Sequence, residues 1–310
     1  MTDNINIFEF PSTQDNLLIA GWRQWADGGA LSSGLPAYLS KLTGARKIAE
    51  IDPDDYYLFQ LPVTQDLMRP IVRHNQGYTE SLQSRRNEFF YSQTDQQGLI
   101  FFIGDEPHLR VESYVQNVLA AAQKLNVKRI IILGGIYAEM PFDKDRFITA
   151  IYSLPELKPE VVKLGVNLSD YHGGASIGSY LCKRAGDIKM ELFGLYSFSP
   201  IIHIPGMESR GETIHIVEDY KAWVNIMRHV NQLLKIQLDL SDLETKSEEL
   251  LQSLDDKIAE LDKKYPDLEI QEYIRRVADQ YSEPPFNGLE DVWEEELRRL
   301  GDQFDLDGDD

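Results

Sequence analysis

Two sequence patterns alternate regularly up to about residue 235, and this alternation constrains the fold more than any other feature. Short, nearly continuous apolar runs are typical of strands buried on both faces, and stretches with apolar residues at helical spacing separate them. The alternation predicts an α/β domain in which helices cover a parallel or mixed central sheet. The predicted strands are Leu17 to Trp22, Arg46 to Ile51, Leu99 to Ile103, Lys128 to Leu133 and Lys189 to Tyr196, and the predicted helices are Ala30 to Leu42, Val111 to Leu125, Ile177 to Ala185 and Lys221 to Ile236.

Glycines and two short β-like runs complete the prediction for this domain. Gly44 and Gly186 lie where C-terminal helix stops belong. Pro70 to His74 and Asn87 to Tyr91 are predicted to form an extra hairpin at one edge of the sheet.

A different pattern begins after Gln237 and predicts three amphipathic helices, each with an apolar face to bury against the core, one another or another subunit. Ser241 and Glu244 have the spacing of a capping box, and Asp267 is placed to cap the second helix after Pro266 ends the first. The apolar faces consist of Leu243, Leu250, Leu254, Ile258, Leu261 and Tyr265, then Ile270, Tyr273, Ile274, Val277 and Tyr281, and finally Leu289, Trp293, Leu297 and Leu300.

Most of the net charge of −20 lies in this last part of the chain. Residues 239–310 contain 24 acidic and 8 basic residues and thus a net charge of −16, which leaves −4 for the rest. Such a surface repels nucleic-acid phosphates and anionic lipids, so we expect neither as a partner, while a solvated face and a surface for basic proteins both account for the charge. The sequence therefore predicts an α/β core at 1–237, an acidic helical extension at 238–300 and a disordered acidic tail at 301–310.

Apolar runs and cysteine usage indicate a cytoplasmic protein. The longest apolar runs, such as Ile130 to Leu133, are far shorter than the roughly 18 residues of a membrane span, and the N-terminus has no basic segment followed by an apolar stretch. The single cysteine, Cys182, excludes an intrachain disulfide and a multi-cysteine metal site. Because it lies beside Leu181 in a predicted amphipathic helix, we expect a buried, inert thiol.

Sequence motifs of catalysis are absent from the chain. It has no G-x-S-x-G nucleophile elbow, no H-E-x-x-H, no G-x-x-x-x-G-K-[ST] phosphate loop and no G-x-G-x-x-G after a strand. The six histidines lie in separate segments, with no pair at i and i+4 on a helix. We therefore predict no catalytic residue, no metal site and no cofactor.

Four clusters near the carboxyl ends of predicted strands are the candidate crevice, because open α/β sheets bind ligands there. The first contains Gly21, Trp22, Trp25 and Asp27. Gly21 permits a sharp turn, Asp27 is suited to cap the next helix, and the tryptophans either line a pocket or interface or simply pack. The second cluster, Gly104 to Pro107, is explained by capping of the helix that follows.

The third cluster joins Gly134, Gly135 and Tyr137 to the charged residues Lys144 and Arg146. The double glycine permits an unusual backbone path or the close approach of another group. We interpret the two basic side chains as partners of the neighbouring aspartates, with an anion clamp as the alternative.

The fourth cluster contains Tyr171, Gly173, Gly174 and Ser176 and leads into a predicted helix. Unpaired amides at a helix start can bind an anion. The favoured interpretation is that Ser176 caps the helix and that the glycines shape the turn.

These clusters, in this order and at these separations, resemble the proteasome assembly chaperone 2 family over about Asn16 to Leu240. The resemblance implies a three-layer α/β/α sandwich similar to the phosphorylase/hydrolase-like fold, and a protein that binds protein rather than an enzyme. It is carried by Leu18 to Trp22 with Asp27, by Glu106 and Pro107, by Ile132 to Gly135 leading to Pro141, and by Tyr171 and Gly173 leading to Gly178.

Three segments depart from the family pattern. A Pro-His-Thr-Arg-Pro type segment is replaced by Pro141 to Asp145, and a Pro-His-Tyr type segment is present only as Pro200 to Ile202. The hydrophobic-Tyr-X tail with which eukaryotic members engage proteasome α-subunits is missing, since the sequence ends with Asp305 to Asp310. We therefore do not expect direct docking on the proteasome.

Two functional hypotheses follow from the sequence. The leading one is a non-enzymatic, assembly-chaperone-like protein that binds protein partners and forms a homo-oligomer. The rival is a small-ligand-binding protein or an enzyme that uses the crevice, in line with the ATP-grasp-like ligase or hydrolase label of some family members. The glycine-rich phosphate loop and paired Mg²⁺ carboxylates of such a ligase are not found in this sequence.

Overall fold

The computed structural model describes residues 4–59, 69–93, 97–206 and 214–281. The predicted third helix of the extension and the acidic tail lie outside the described residues. The strands are β1 (Ile5–Ile7), β2 (Asn16–Arg23), β3 (Arg46–Ile51), β4 (Ile71–Asn75), β5 (Tyr78–Gln83), β6 (Asn87–Gln93), β7 (Gly98–Asp105), β8 (Val127–Glu139), β9 (Ile148–Tyr152), β10 (Asn167–Leu168), β11 (Glu191–Ile202) and β12 (Ile214–His215). The α-helices are α1 (Leu31–Leu42), α2 (Val111–Lys124), α3 (Lys158–Val162), α4 (Ile177–Asp187), α5 (Tyr220–Leu234), α6 (Ser241–Lys264) and α7 (Ile270–Gln280).

Ten of the strands form one mixed sheet in the order β1-β3-β6-β7-β2-β8-β11-β9-β10, with β12 paired to β11. Strands β7, β2, β8 and β11 are parallel neighbours at its centre. Strands β1, β3 and β6 extend one side of the sheet in antiparallel pairs. The carboxyl ends of the four parallel strands therefore meet at the same edge of the sheet, where the candidate crevice was predicted.

The central strands are buried on both faces because successive side chains point to opposite sides of a sheet. In β2, Leu18 and Ala20 belong to an apolar cluster that includes residues of α2 and α4. Leu17 and Ile19 belong to a second cluster with residues of α1 and α5. Helices thus cover both faces, and the predicted three-layer α/β/α sandwich is confirmed.

The predicted edge hairpin was wrong. Strands β4 and β5 form a separate two-stranded sheet, whereas β6 lies in the main sheet between β3 and β7. Gln76 and Gly77 close the β4–β5 turn, both with positive φ (48° and 87°), as in the two-residue turns that match the twist of a hairpin. Local turn chemistry therefore pairs β4 with its immediate neighbour.

One of the two predicted glycine stops is confirmed. Gly44 follows α1 with a φ of 61°, the left-handed conformation typical of helix ends. Gly186 instead lies inside α4, where a Cβ atom would collide with the carbonyl oxygen of Ser153, and Lys189 takes the positive φ beyond the helix. Gly186 is therefore required by packing.

Helices α6 and α7 begin without the predicted side-chain caps. The backbone N–H of Ser241 donates to the Asp239 carboxylate at 3.0 Å, so Ser241 is the first helical residue and not the cap of a capping box. Asp267 lies in a short 3-10 turn, and Asp262 of the preceding helix accepts from Gln271 N at 3.1 Å instead. In both cases a carboxylate at another position binds the exposed amide.

The apolar faces of α6 and α7 pack against the end of the α/β domain. Leu254, Ile258, Leu261 and Ile270 form a third buried cluster with Phe142, Ile204 and Ile216. Leu243 belongs to the second cluster of the sheet itself. The division into core and extension stays a prediction. Among the described helices, none has the length and apolar character to cross a membrane.

Candidate functional site

The cleft at the carboxyl end of β2 lies between the loop after that strand, strand β8 and the start of α4. Trp22 and Trp25 line it together with Glu106, Ser176 and Tyr196. The space between them is about 10 Å³, close to the smallest volume that holds one water molecule. The side chains of the protein therefore fill most of the predicted crevice.

The two tryptophans of the first cluster have different environments. Trp22 is 4% exposed, and its Nε1 donates to Tyr114 Oη at 2.8 Å. Tyr114 Oη in turn donates to Asn87 Oδ1 at 2.8 Å, so the indole belongs to a buried hydrogen-bond network. Trp25 is 49% exposed at the rim of the cleft. Packing thus accounts for Trp22, and Trp25 is the tryptophan that a partner can reach.

Glu106 ties the loop after β2 to helix α4. Its Oε2 accepts from Trp25 N at 3.1 Å and its Oε1 accepts from Ile177 N, the first residue of α4, at 2.9 Å. Burial raises the pKa of Glu106, although these two hydrogen bonds oppose the increase. The carboxylate therefore already occupies the positive N-terminal end of the helix, where a bound anion was the alternative interpretation.

Ser176 caps helix α4, as the favoured interpretation of the fourth cluster states. Its Oγ accepts from Ser179 N at 3.2 Å and lies 3.3 Å from Tyr196 Oη. With Ser176 and Glu106 both in place, two of the exposed amides of this helix start are bound within the chain.

Asp27 holds the start of α1. Its carboxylate accepts from Ser33 N at 2.8 Å and from Ser33 Oγ at 2.6 Å, in the first turn of the helix. Burial raises the pKa of Asp27 to about 6, against the lowering effect of the Ser33 hydrogen bonds. Asp27 thus binds an amide of the first turn, although Ala30 and not Asp27 occupies the N-cap position of α1, and its carboxyl is also a titratable group near the cleft.

The glycines of β2 and β8 make room for the backbone of the protein itself. Gly135 N donates to Ala26 O at 2.9 Å, and a Cβ atom at Gly135 would collide with the carbonyl oxygen of Gly28. A Cβ at Gly134 would collide with the Tyr196 ring, and one at Gly21 with the carbonyl oxygen of Ser32. The close approach that the sequence predicted is therefore made by neighbouring parts of the chain.

The other residues of the third cluster do not line the cleft. Tyr137 Oη donates to Ile216 O at 3.1 Å, and Lys144 Nζ lies 3.5 Å from the carboxylate of Asp143. Arg146 is buried and binds Asp219 at 2.8 Å and 3.3 Å. The predicted pairing with adjacent aspartates thus applies to Lys144 and was wrong for Arg146, whose partner is 73 positions away.

The glycine-rich loop before α4 lies outside the cleft. Tyr171 Oη donates to Gly174 O at 3.2 Å, which closes the loop on itself, and Gly173 is exposed between them. A Cβ at Gly174 would lie 4.0 Å from the Trp25 ring. The loop and Trp25 therefore form one exposed rim beside the closed cleft.

Among the described residues, this end of the sheet has a buried thiol and no cluster of metal-ligating side chains. Burial raises the pKa of the Cys182 thiol to about 12, so the thiolate is scarce at neutral pH. Within residues 4–59, 69–93, 97–206 and 214–281, no three His, Cys, Asp or Glu side chains are arranged to hold a metal ion.

Fold and cleft together define a class of protein: a three-layer α/β/α sandwich in which buried indole and carboxyl groups close the strand-end cleft from within. The model of the PAC2 family matches residues 22–258. The chain belongs to the PAC2 family, the proteasome assembly chaperone 2 family that its motifs resemble. No curated protein sequence matches it significantly.

Several solved structures have the same fold. A proteasome-assembly chaperone homologue from Mycobacterium tuberculosis is 21% identical, with a TM-score of 0.67 over 79% of this chain and 96% of that chain. A PAC2 family protein from Streptomyces avermitilis is 19% identical, with a TM-score of 0.66 over 78% of this chain and 95% of that chain. An archaeal proteasome activator from Pyrococcus furiosus is 19% identical, with a TM-score of 0.59 over 81% of this chain and 97% of that chain.

Proposed function

We propose that the protein is a non-enzymatic, cytoplasmic assembly-chaperone-like protein that binds other proteins and associates with itself. One observation carries the proposal. The cleft in which an α/β protein ordinarily binds a small ligand is filled by Trp22 and by the Glu106 carboxylate, while Trp25 is exposed beside it. The cleft therefore has little room for a small molecule, whereas the exposed Trp25 beside it is accessible to a protein partner.

Family membership supports the same proposal. Two proteins with this fold are described as a proteasome-assembly chaperone homologue and as an archaeal proteasome activator. By extension to this chain, its partners are protein subunits, and the net charge of −20 disfavours nucleic acid. We do not propose direct docking on the proteasome.

Self-association is tested by size-exclusion chromatography with light scattering on the full chain over a range of concentrations. The expected result is a mass that is a multiple of 35.6 kDa and falls on dilution. A mass of one chain at every concentration contradicts self-association.

A second candidate function is the binding of a small ligand with a titratable group, and one observation favours it. Asp27 and Glu106 both have raised pKa values at this end of the sheet, which is typical of functional sites. A thermal-shift screen of nucleotides, phosphates and carboxylates tests it, because a ligand at about 100 times its Kd stabilises a protein by about 2.7 kcal/mol. A shift that is lost in Glu106→Gln supports this candidate, and no shift with any compound contradicts it.

A further inference from the structure

The loop after β2 contains the most unusual backbone conformation of any non-glycine residue in the described part of the chain. Gln24 has a φ of 119°, whereas the other non-glycine residues with positive φ have values from 47° to 60°. Those values lie close to the left-handed helical region, and a φ of 119° lies well outside it. Because the Gln24 side chain is exposed, its own packing does not account for this conformation. The strain is therefore imposed by the contacts of the neighbouring residues.

Two consecutive acidic residues at the end of β7 hold the residues on either side of Gln24. Before it, the Asp105 carboxylate accepts from Arg23 Nε at 2.7 Å, and Glu106 N donates to Arg23 O at 3.2 Å. After it, Trp25 N donates to Glu106 Oε2 at 3.1 Å. Both flanks of Gln24 are thus bound to the same pair of residues, and Gln24 takes the conformation that joins them.

Residues 23–27, which we call the strap, form one wall of the cleft between β2 and β8. Ala26 O accepts from Gly135 N at 2.9 Å, which holds the far end of the strap on β8. The opposite wall is the start of α4, where Ile177 N donates to Glu106 Oε1 at 2.9 Å. Glu106 therefore binds both walls of the cleft with one carboxylate.

The strain at Gln24 and the hydrogen bonds of Glu106 act in opposite directions. Relief of the positive φ favours release of the strap, and the two amide bonds to the carboxylate favour its present position. Because Trp25 N and Ile177 N share this one partner, both walls lose it at the same time when the carboxylate moves. An element with such an opposition has two states whose populations a small change can shift.

We propose that the strap is a lid on the cleft, which Glu106 holds closed and the strained backbone of Gln24 biases towards opening. In the closed state the space between the walls is about 10 Å³, room for one water molecule. In the open state the strap moves away from α4 and the cleft gains room for larger molecules. The inference goes beyond the proposed function and is independent of whether the protein associates with itself.

Amide hydrogen exchange of the full chain, measured by mass spectrometry and corrected for the intrinsic rate of each sequence, tests the lid. Glu106→Gln keeps a side-chain acceptor oxygen for only one of the two amides. The protected amides of residues 23–27 and 176–179 are therefore expected to exchange at least about tenfold faster, both segments together, while those of β7 and β11 keep their rates. The matched control is Asp262→Asn, which alters a comparable carboxylate bond to Gln271 N and leaves both segments unchanged.

Variants of Gln24 test the strain separately. Gln24→Gly relieves it, because glycine adopts a positive φ at little cost, so residues 23–27 are expected to exchange more slowly than in the wild type, by about fivefold or more. Gln24→Ala keeps a Cβ atom and hence the strain, and is expected to exchange like the wild type. Circular dichroism shows whether each variant is folded.

Equal exchange in Gln24→Gly and Gln24→Ala overturns the inference, because no strain is then stored in the strap. A folded Glu106→Gln variant in which exchange is faster throughout the domain, or unchanged in both segments, also overturns it, since Glu106 is then not the anchor of a local lid. If Glu106→Gln does not fold, the two Gln24 variants decide alone.

Discussion

Polar groups at the carboxyl end of the central sheet are bound within the chain, whereas several on the β4–β5 hairpin and on helix α6 face solvent. At the sheet end, Glu106, Asp27 and Arg146 are each bound by groups of the same chain. Arg73 of the β4–β5 hairpin and Glu248 of α6 are exposed and make no ion pair within the described residues. A buried group that is already bound stabilises the fold and must break a bond to recognise a ligand, whereas an exposed one can engage a partner at little cost.

The strongest test of this contrast is the buried ion pair. Arg146→Met leaves the Asp219 carboxylate buried without its cation, and breaking such a pair costs about 3–5 kcal/mol of unfolding free energy. Urea unfolding measures the change. Lys144→Met is the matched control, because this neighbour is exposed and its loss should stay within about 0.5 kcal/mol. Equal effects would remove the distinction between the two regions.

The two tryptophans give the next largest difference. Trp22→Phe removes a buried N–H donor and leaves Tyr114 Oη without it, so we expect a loss of about 2 kcal/mol. Trp25→Phe keeps an aromatic ring at a half-exposed position and should change stability by less than about 0.5 kcal/mol. Urea unfolding followed by circular dichroism compares the two. A larger effect at Trp25 would place that residue in the buried network instead of the rim.

Asp27 lowers the stability of the folded protein as the pH rises, in contrast to the stabilising groups above, and the expected effect is of intermediate size. Its pKa is about 6 in the folded protein, against about 3.9 in an unfolded chain, so ionisation is costlier in the folded state. The penalty is absent below about pH 4, grows up to about pH 6 and is complete above it.

Asp27→Asn removes this penalty and retains an acceptor for Ser33 N. The variant should be more stable than the wild type by about 1–3 kcal/mol at pH 7 and similar to it at pH 4, as measured by urea unfolding at both values. Curves for the two proteins that run parallel across this range would contradict the raised pKa.

The smallest effect concerns the thiol. Because burial raises the pKa of Cys182 to about 12, a thiol reagent at neutral pH should label it only after unfolding in urea. Spectrophotometric titration of the thiol with and without urea measures this. Rapid labelling of the native protein would show that α4 opens easily.

Apolar runs predict the central strands because burial on both faces leaves a local signature. Strand β6 matches the predicted β run at Asn87 to Tyr91, but its predicted pairing was wrong: it lies between β7, the next strand along the chain, and β3, which ends at residue 51. A glycine near the end of a predicted helix can mark either a helix stop or a close packing contact. The sequence around Gly186 does not distinguish the two, and the structure shows the packing contact. Local sequence patterns therefore predict helices and strands, but they do not predict which strands pair in the sheet.

The same limit applies to the candidate site. Trp22, Asp27 and Gly135 could be placed together because each lies at or just beyond the carboxyl end of a predicted parallel strand, and these ends meet at one edge of the sheet. The bridging role of Glu106 was missed, since the position of α4 is needed to see it. The sequence feature that could have indicated this role is an acidic residue placed between a buried strand and Pro107. The pairing of Arg146 with Asp219 could not be predicted, because the two residues are 73 positions apart in the sequence.

The order of strands has a consequence for synthesis on the ribosome. Strand β2 lies at the centre of the sheet, yet its neighbours β7 and β8 begin only at residues 98 and 127, and β11, which pairs with β8, ends at residue 202. A nascent chain therefore carries apolar strands with open edges until about two thirds of it has been translated, and such edges attract foreign strands. The chain is therefore exposed to pairing with foreign strands until its central sheet is complete.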